Sequence, residues 1–514
     1  MKKYILPGIL SCISVSLFAQ IPEDVLKYSW QPVNGTARIN AVGGAMGSLG
    51  GDISATFVNP AGIAFYKTAD FVISPGFSFF NNKSNYRGTT SKDNTSFMNL
   101  GASGFVGGWK GGSNWNNSLS FAVTRTANFN NKVYYTGQND FSSFAEQYAA
   151  EIANSGADIG SNDDISKLSL GTQMAVWNYL ADTTTLPGHS TPDVISMAMW
   201  GALKEGGPFL VNQTNKIETR GGITEVAIAY ATNKADKFYI GGSLGLPIVQ
   251  YTKESTLVEE DATGNNDNNF SIAELKETFK TNGVGLNVKL GAIFKPVEYI
   301  RLGLAVHTPT WYSFEDTYSG SMSVNLENYR TTPGTTSITA EELYGSTPTY
   351  KYELSTPWKF MLSGSYVLRE IEDVRKQKGF ITADVEYVTY KSNKFRNAED
   401  YEYNYDNIND VMKTYYKNAF NFRVGGELKF TTIMARLGFS YYGNPYADKE
   451  LKANKMFISG GLGYRHAGMF IDLTYAHGLH KDVSFPYRLP DKTNTFASVK
   501  GSGGNIALTI GFKI

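Results

Sequence analysis

The sequence predicts an all-β chain, a 14-stranded antiparallel transmembrane β-barrel. Three observations carry this. The chain opens on an export-like leader with no later apolar run of helix length, its segments alternate apolar with polar residues, and its connections alternate long with short.

Lys2 and Lys3 precede an apolar stretch from Tyr4 to Phe18, and the small residue Ala19 follows. This is the pattern of a signal peptide spanning 1–19. A lipoprotein reading at Cys12 would leave an apolar core of only about seven residues, too short for that role. Cys12 is the single cysteine, so the chain beyond the leader has no disulfide and no thiolate metal site. Lys plus Arg (47) balance Asp plus Glu (47), which leaves no basic excess for a phosphate backbone and argues against a nucleic-acid partner. Aromatic residues make up 14% and glycine 52 residues, a mixture suited to strands and tight turns.

Alternation is clearest near the C-terminus. Ile506, Leu508, Ile510, Phe512 and Ile514 share one face against Asn505, Thr509 and Lys513. Phe422, Val424, Leu428 and Phe430 oppose Arg423, Glu427 and Lys429, and Met469, Ile471, Leu473 and Tyr475 oppose Asp472 and Thr474. Such a face could meet a soluble core or lipid. Connection length separates the two. The strands read as 69–80, 97–109, 117–129, 222–231, 237–252, 283–294, 299–312, 353–370, 379–391, 419–430, 435–442, 456–464, 469–479 and 500–514, joined by alternately long and short segments. An outer-membrane barrel sorts its connections this way and a sandwich has no reason to. The even count puts the start of the chain on the short-turn side. Tyr251, Trp311, Tyr312, Tyr390, Tyr441 and Tyr442 fall at the long-loop strand ends, where an aromatic belt is expected.

Two regions lie outside the wall in this reading. Residues 20–68 are rich in glycine and small side chains, while the barrel proper runs over 69–514. The connection 130–221 carries helix formers with apolar residues at three- and four-residue spacing, as in "FSSFAEQYAAEIANSG" and "SKLSLGTQMAVWNYLADT", and predicts a helical extracellular insertion. The stretch "EEDATGNNDNNF" reads as a solvated loop tip.

The segment "GTARINAVGGAMGSLGGDISATFVNPAGIAFY", with its "GGAMG" run and its "NPAG", resembles the N-terminal plug of the FadL family of outer-membrane transporters for long-chain fatty acids and other hydrophobic compounds. Weaker likeness continues in "STPWKFMLSGSYVL" and "ISGGLGYRHAGMFIDLTYAHG". The resemblance implies a barrel blocked by an N-terminal hatch over 20–68, with Asn59, Pro60, Ala61 and Gly62 forming the hatch turn. It also implies passive, multi-pass outer-membrane transport of a fatty-acid-like ligand, hatch movement on binding, no cofactor, and sideways release through a gap at a kinked third strand. Segment 117–129 has neither glycine nor proline to kink it; Gly101, Gly104, Gly107 and Gly108, or Gly241, Gly242, Gly245 and Pro247, are the alternatives.

Met174, Trp177, Leu180, Met197, Met199, Trp200 and Phe209 in the helical insertion are candidates to hold the ligand, or else they pack the insertion against itself. Asp384, Glu386, Arg423, Glu427, Lys429 and Arg436 read as a lumenal charge network around the hatch. Enzymatic readings fail on context. "GGSLG" places Ser243 inside a continuous strand instead of at a nucleophile elbow. "NNDNNFSIAE" has Phe270 where a calcium loop needs glycine. No histidine pair has metal-ligand spacing, which leaves no metal site. His477 and His480 alone suggest a haem or nutrient receptor. The other alternative, from relatives of the PorV type, is a surface protein that docks exported cargo in protein secretion.

Overall fold

The computed structural model describes residues 22–329, 334–368, 378–398, 405–448 and 454–514. The leader falls outside them. Within the described residues no helix is long and apolar enough to cross a membrane.

Fourteen antiparallel strands close into a barrel. Closure is made by the last strand, Ala497–Lys513, which pairs with Met469–Ser484 on one side and with Ala69–Ile73 and Pro75–Tyr86 on the other. The wall reverses the burial pattern of a water-soluble protein. Leu437 is 73% exposed on the exterior, while its chain neighbour Arg436 is 2% exposed in the lumen. Leu304, Leu362, Ile458 and Leu462 project outward, and Asp384, Arg423, Asp472 and Thr509 project inward. This is the alternation read in the sequence, with the apolar face outside.

Several strands run far past the expected ends. Val211–Lys234, Phe238–Asp261 and Ile272–Val297 extend well beyond 222–231, 237–252 and 283–294. The added residues, such as "VNQTNKIETR", are polar on both faces, so lipid-facing alternation stops before the strand does. The expected long first connection is a hairpin, Pro75–Tyr86 against Thr89–Leu100, turned by Arg87 and Gly88 at φ 49° and 87°. The "loop tip" after Glu259 is likewise part strand, and Glu259 and Phe270 are buried.

The insertion is helical where expected, with Glu146–Ser155, Leu170–Trp177 and Trp200–Glu205, plus a small hairpin of Ala181–Thr184 and Asp193–Ser196. Ser169 caps the second helix by accepting from the Thr172 amide. This cap buries Phe144, Ile152, Leu170 and Met174 against Leu257, Leu275 and Met322 of the strand extensions.

The described residues do not begin at the short-turn end. The first described helix, Pro22–Ser29, lies at the long-loop end, with Val25, Leu26 and Tyr28 in one cluster with Ile408 and Met412 of helix Asp406–Tyr415. From there the segment descends the lumen until Lys67 pairs with Asp236 in a short turn (3.0 Å). Three of the expected belt aromatics, Tyr312, Tyr390 and Tyr442, belong to that lumenal cluster: strand alternation turns Tyr312 and Tyr442 inward, and Tyr390 sits in the 3₁₀ turn Tyr390–Ser392 beyond its strand; Trp311 faces out.

Candidate functional site

The lumen holds a plug, a cavity above it and a break in the wall beside both. The plug is built from short turns whose polar ends are satisfied locally. Thr36 caps helix Ala37–Ala41 and donates its hydroxyl to Asp52 (2.9 Å). The "NPAG" turn opens a 3₁₀ helix, Pro60–Phe65, with Pro60 at its first position. Asn59 accepts from the Ala61 amide (3.2 Å) and donates to Leu304 O (3.2 Å) of the wall. One side chain therefore both caps the turn and ties it to the barrel. Two wall glycines make this approach possible. A Cβ on Gly291 would lie 1.8 Å from Asn59 Oδ1, and one on Gly241 would lie 2.6 Å from the Pro60 carbonyl carbon.

Lumenal charges grip the plug from the other side. Asp384 accepts from the amides of Met46 (3.1 Å) and Gly47 (3.2 Å) and from the Ser363 hydroxyl. Arg423 stands 3.6 Å from Asp384 and 3.5 Å from Glu386. Lower down, Arg436 bridges Glu427 and Asp472, both at 2.6 Å, and Arg38 of the plug reaches Glu427 at 3.5 Å. Lys429 of the expected network lies near a strand end, opposite Met434.

Above the plug lies a cavity of ≈ 140 Å³. Tyr28, Phe57 and Tyr312 give it an apolar side, and Glu225, Lys289, His307 and Lys359 a polar one. Lys289 pairs with Glu225, and the His307 ring bonds Val58 O (2.8 Å). Lys359 makes no hydrogen bond or ion pair with a described residue; the carboxylate that acts on it most in the cavity, Glu386, is already held by Arg423 (3.5 Å), so the ammonium can take a further acidic group.

The break in the wall lies at the second and third strands. Gly101 and Ala102 separate Thr89–Leu100 from Ser103–Lys110. Ser103–Lys110 pairs with Trp115–Asn128, whereas Thr89–Leu100 pairs only with Pro75–Tyr86 among the described residues. The third strand bends inward here. Thr126 is an extra residue between Arg125 and Ala127, and the continuation Asn131–Asn139 passes on the lumen side of the hairpin. There Asn82 bonds Asn131 (2.6 Å), and the rings of Tyr86 and Tyr135 lie 5.1 Å apart. The kink thus comes from a bulge without glycine or proline. Its permissive residues are on the neighbouring strand, where Gly221 and Gly222 adopt φ 105° and 156°. The "RGG" in the fourth strand was the available sequence signal. Pro247 opens nothing on its fourth-strand side, since its strand stays in register with Val211–Lys234 throughout.

The plug closes this break. Asn34 Nδ2 lies 2.8 Å from Arg125 O, 3.1 Å from Leu100 O and 3.3 Å from Asn99 Oδ1, and Asn34 O accepts from Thr124 Oγ1 (2.9 Å). A Cβ on Gly101 would meet Gly35 O at 2.3 Å, so the wall glycine lets the plug backbone seal the gap. Neither Asn34 nor Lys359 stood out in the sequence.

The insertion candidates divide. Met174, Leu180 and Met197 are fully buried in the cap core; Met199, Trp200 and Phe209 are half-buried, and Trp177 is exposed. None lines the lumenal cavity. His477 and His480 both sit in Met469–Ser484, three positions apart on opposite faces, so they cannot share a ligand. Ser243 is lumen-facing in mid-strand.

No family model and no curated protein matches the chain. Solved structures do. A Pseudomonas aeruginosa FadL homologue is 13% identical over 94% of this chain and 99% of its own, with TM-score 0.54. The P. putida toluene transporter TodX is 13% identical over 94% and 99%, at 0.50. A deltaS2 mutant of the TodX monoaromatic hydrocarbon channel is 12% identical over 96% and 100%, at 0.51. At these identities the shared property is the fold, and the chain has the fold of the FadL homologues.

Proposed function

We propose that this protein is an outer-membrane channel for hydrophobic small molecules, without a covalent step. A molecule enters the lumen at the long-loop end, rests in the cavity above the plug, and leaves sideways through the break beside the third strand. The observation that carries this reading is the position of the cavity. Its lining includes Asn34 and Gly35 of the plug and Thr124 and Thr126 at the kinked strand, so one site touches both the gate and the exit. The structural neighbours named for a toluene transporter and a hydrocarbon channel support the hydrophobic class. Lys359 favours an amphiphile with an acidic head, fatty-acid-like, over a plain hydrocarbon. The hatch turn Asn59–Pro60–Ala61–Gly62 is the part of the plug that yields on binding.

The test is uptake into vesicles carrying the purified protein, using a fluorescent long-chain carboxylic acid and an uncharged aromatic probe. Saturable uptake is expected, with the acid favoured in the wild type and the preference lost in Lys359→Met. Rates equal to those of protein-free vesicles for both probes would overturn the proposal.

One observation favours a second reading, a surface that docks exported protein. The cap exposes Trp177, Tyr179 and Leu203 while it closes Met174 and Met197 inside. Chemical cross-linking at Trp177→Cys in whole cells that captures an exported protein, with no uptake by the vesicles, would select it.

A further inference from the structure

Four strands carry a lysine at one level on the exterior. Lys92 pairs with Lys83, Lys83 with Lys500, and Lys500 with Lys481, across Thr89–Leu100, Pro75–Tyr86, Ala497–Lys513 and Met469–Ser484. Directly opposed residues share a face, and all four are exposed. Neighbouring strands are about 4.8 Å apart, so the row is an arc of like charges that repel pair by pair. Among the described residues no carboxylate forms an ion pair with it. None of the four makes an ion pair or hydrogen bond with a described residue. Asp482 alternates to the other face. Asp93 turns its carboxylate onto the Asn94 amide (2.8 Å). The rows above and below are uncharged: Asn85, Thr90, Ser498 and Val483, then Asn81, Asn94, Ser502 and Leu479.

The height of the row identifies what relieves the repulsion. Phe512 is near the short-turn end of the last strand, twelve residues from Lys500. At a rise of ~3.3 Å and a tilt of ~40°, that is roughly 30 Å along the barrel axis, just past an apolar band of about 25 Å. The apolar row Met98, Phe77, Ile506 and Tyr475 lies between, 42–79% exposed. The lysines therefore stand at the headgroup level of the leaflet on the long-loop side. An open groove of ≈ 600 Å³ is lined by Lys83, Lys92 and Lys500, by Asn81, Asn94, Ser502 and Asp93, and by one apolar side chain, Leu479.

We propose that this row binds the phosphate-bearing headgroup of an outer-leaflet lipid, with the acyl chains lying down the exterior over Leu479 and Ile506. Each phosphate bridges two lysines and converts a repulsive row into a salt-linked one. The bound lipid would sit against Thr89–Leu100, the strand whose far edge borders the lateral break. The inference rests on the barrel lying in an outer membrane, and it stands whatever the lumen passes.

The experiment compares wild type, a variant with Lys83, Lys92, Lys481 and Lys500 all changed to Gln, and one with all four changed to Arg. Each is reconstituted in phosphatidylcholine nanodiscs with or without bis-phosphorylated lipid A, then released into detergent for native mass spectrometry. Wild type and the Arg variant are expected to keep lipid A, and the Gln variant to retain it at least about tenfold less. The Gln variant should melt no lower than wild type in phosphatidylcholine alone, since it loses only repulsion. Equal retention by wild type and the Gln variant would overturn the proposal. So would displacement of lipid A by equimolar inorganic phosphate, which would make the row a free-anion site. Uptake of the carboxylic acid probe in the same preparations reports the transport reading separately: lipid retention without uptake sinks the channel and leaves the lysine site.

Discussion

Asn34 and Arg125 are 91 residues apart in the chain, and the side-chain amide of the first donates to the backbone carbonyl of the second at 2.8 Å. The same amide reaches Leu100 O, on the strand that Arg125 would otherwise pair beside. The plug thus supplies one residue in place of a missing rung of the wall. Asn34→Ala removes both bonds and leaves two carbonyls without their donor. At about 1 kcal/mol each, the open form of the break gains roughly thirtyfold in population. Uptake of a hydrophobic probe into vesicles should rise accordingly; an unchanged rate would show that the exit is elsewhere.

Arg436, Glu427 and Asp472 form an ion group with Arg436 fully enclosed. Removing one carboxylate leaves a buried guanidinium half-compensated. Asp472→Asn is expected to lower stability by about 3 kcal/mol, and a joint change of Arg436 to Met and Asp472 to Leu by less. Thermal melts in detergent check the order; a double variant worse than the single would contradict it.

Glu259 anchors the cap from outside the lipid-embedded wall. It accepts from the Phe144 amide (2.7 Å) and from the Ser143 hydroxyl, yet burial pushes its carboxyl up to about 7. A folded pKa above the unfolded one means that folding prefers the protonated acid. Cap stability is therefore fullest below about pH 4.5, falls as pH rises towards 7, and is level above that, a span of at most about 3 kcal/mol. Hydrogen exchange of the cap amides at several pH values should show this slope, and Glu259→Gln should flatten it. A slope unchanged in the variant would assign the effect to another group.

Gly291→Ala puts a methyl group where Asn59 Oδ1 now lies. The hatch turn must shift, and single-channel conductance in planar bilayers should rise, while Gly364→Ala, whose Cβ would meet nothing within 4 Å, should match wild type. A closed Gly291→Ala channel would show that the plug does not depend on that contact.

Much of this was legible because lipid imposes a strict two-residue period. Leu437 beside Arg436 announces which way each faces, and repetition of that pattern gives the strand count. The signal fails where lipid ends. The polar extension Val211–Arg220 and the hairpin at Arg87–Gly88 look like loop because neither face there is apolar. Residue type alone puts Tyr312, Tyr390 and Tyr442 in a belt, whereas parity along the strand turns Tyr312 and Tyr442 inward and a 3₁₀ turn past the strand end does so for Tyr390. "NPAG" stands out through its resemblance to the FadL plug, and the turn it forms against the wall uses a cap, a proline and a small residue together. Asn34 and Lys359 act through partners distant in sequence, so no local pattern marks them.

The plug segment runs along the lumen from the long-loop end to the short-turn end, and it precedes every strand that encloses it. Its Ala37 amide bonds Thr509 (2.7 Å), only a few residues from the end of the chain. Such a segment cannot be threaded into a finished barrel. It must be in place while the wall is still an open sheet, and the meeting of the last strand with the first is then the step that traps it. The order of assembly is thereby written into the fold: a chain that zipped its ends together early would make an empty pore with its N-terminal segment outside, and the contacts of Thr509 and Thr474 with Ala37 give the correct order its reward at the moment of closure.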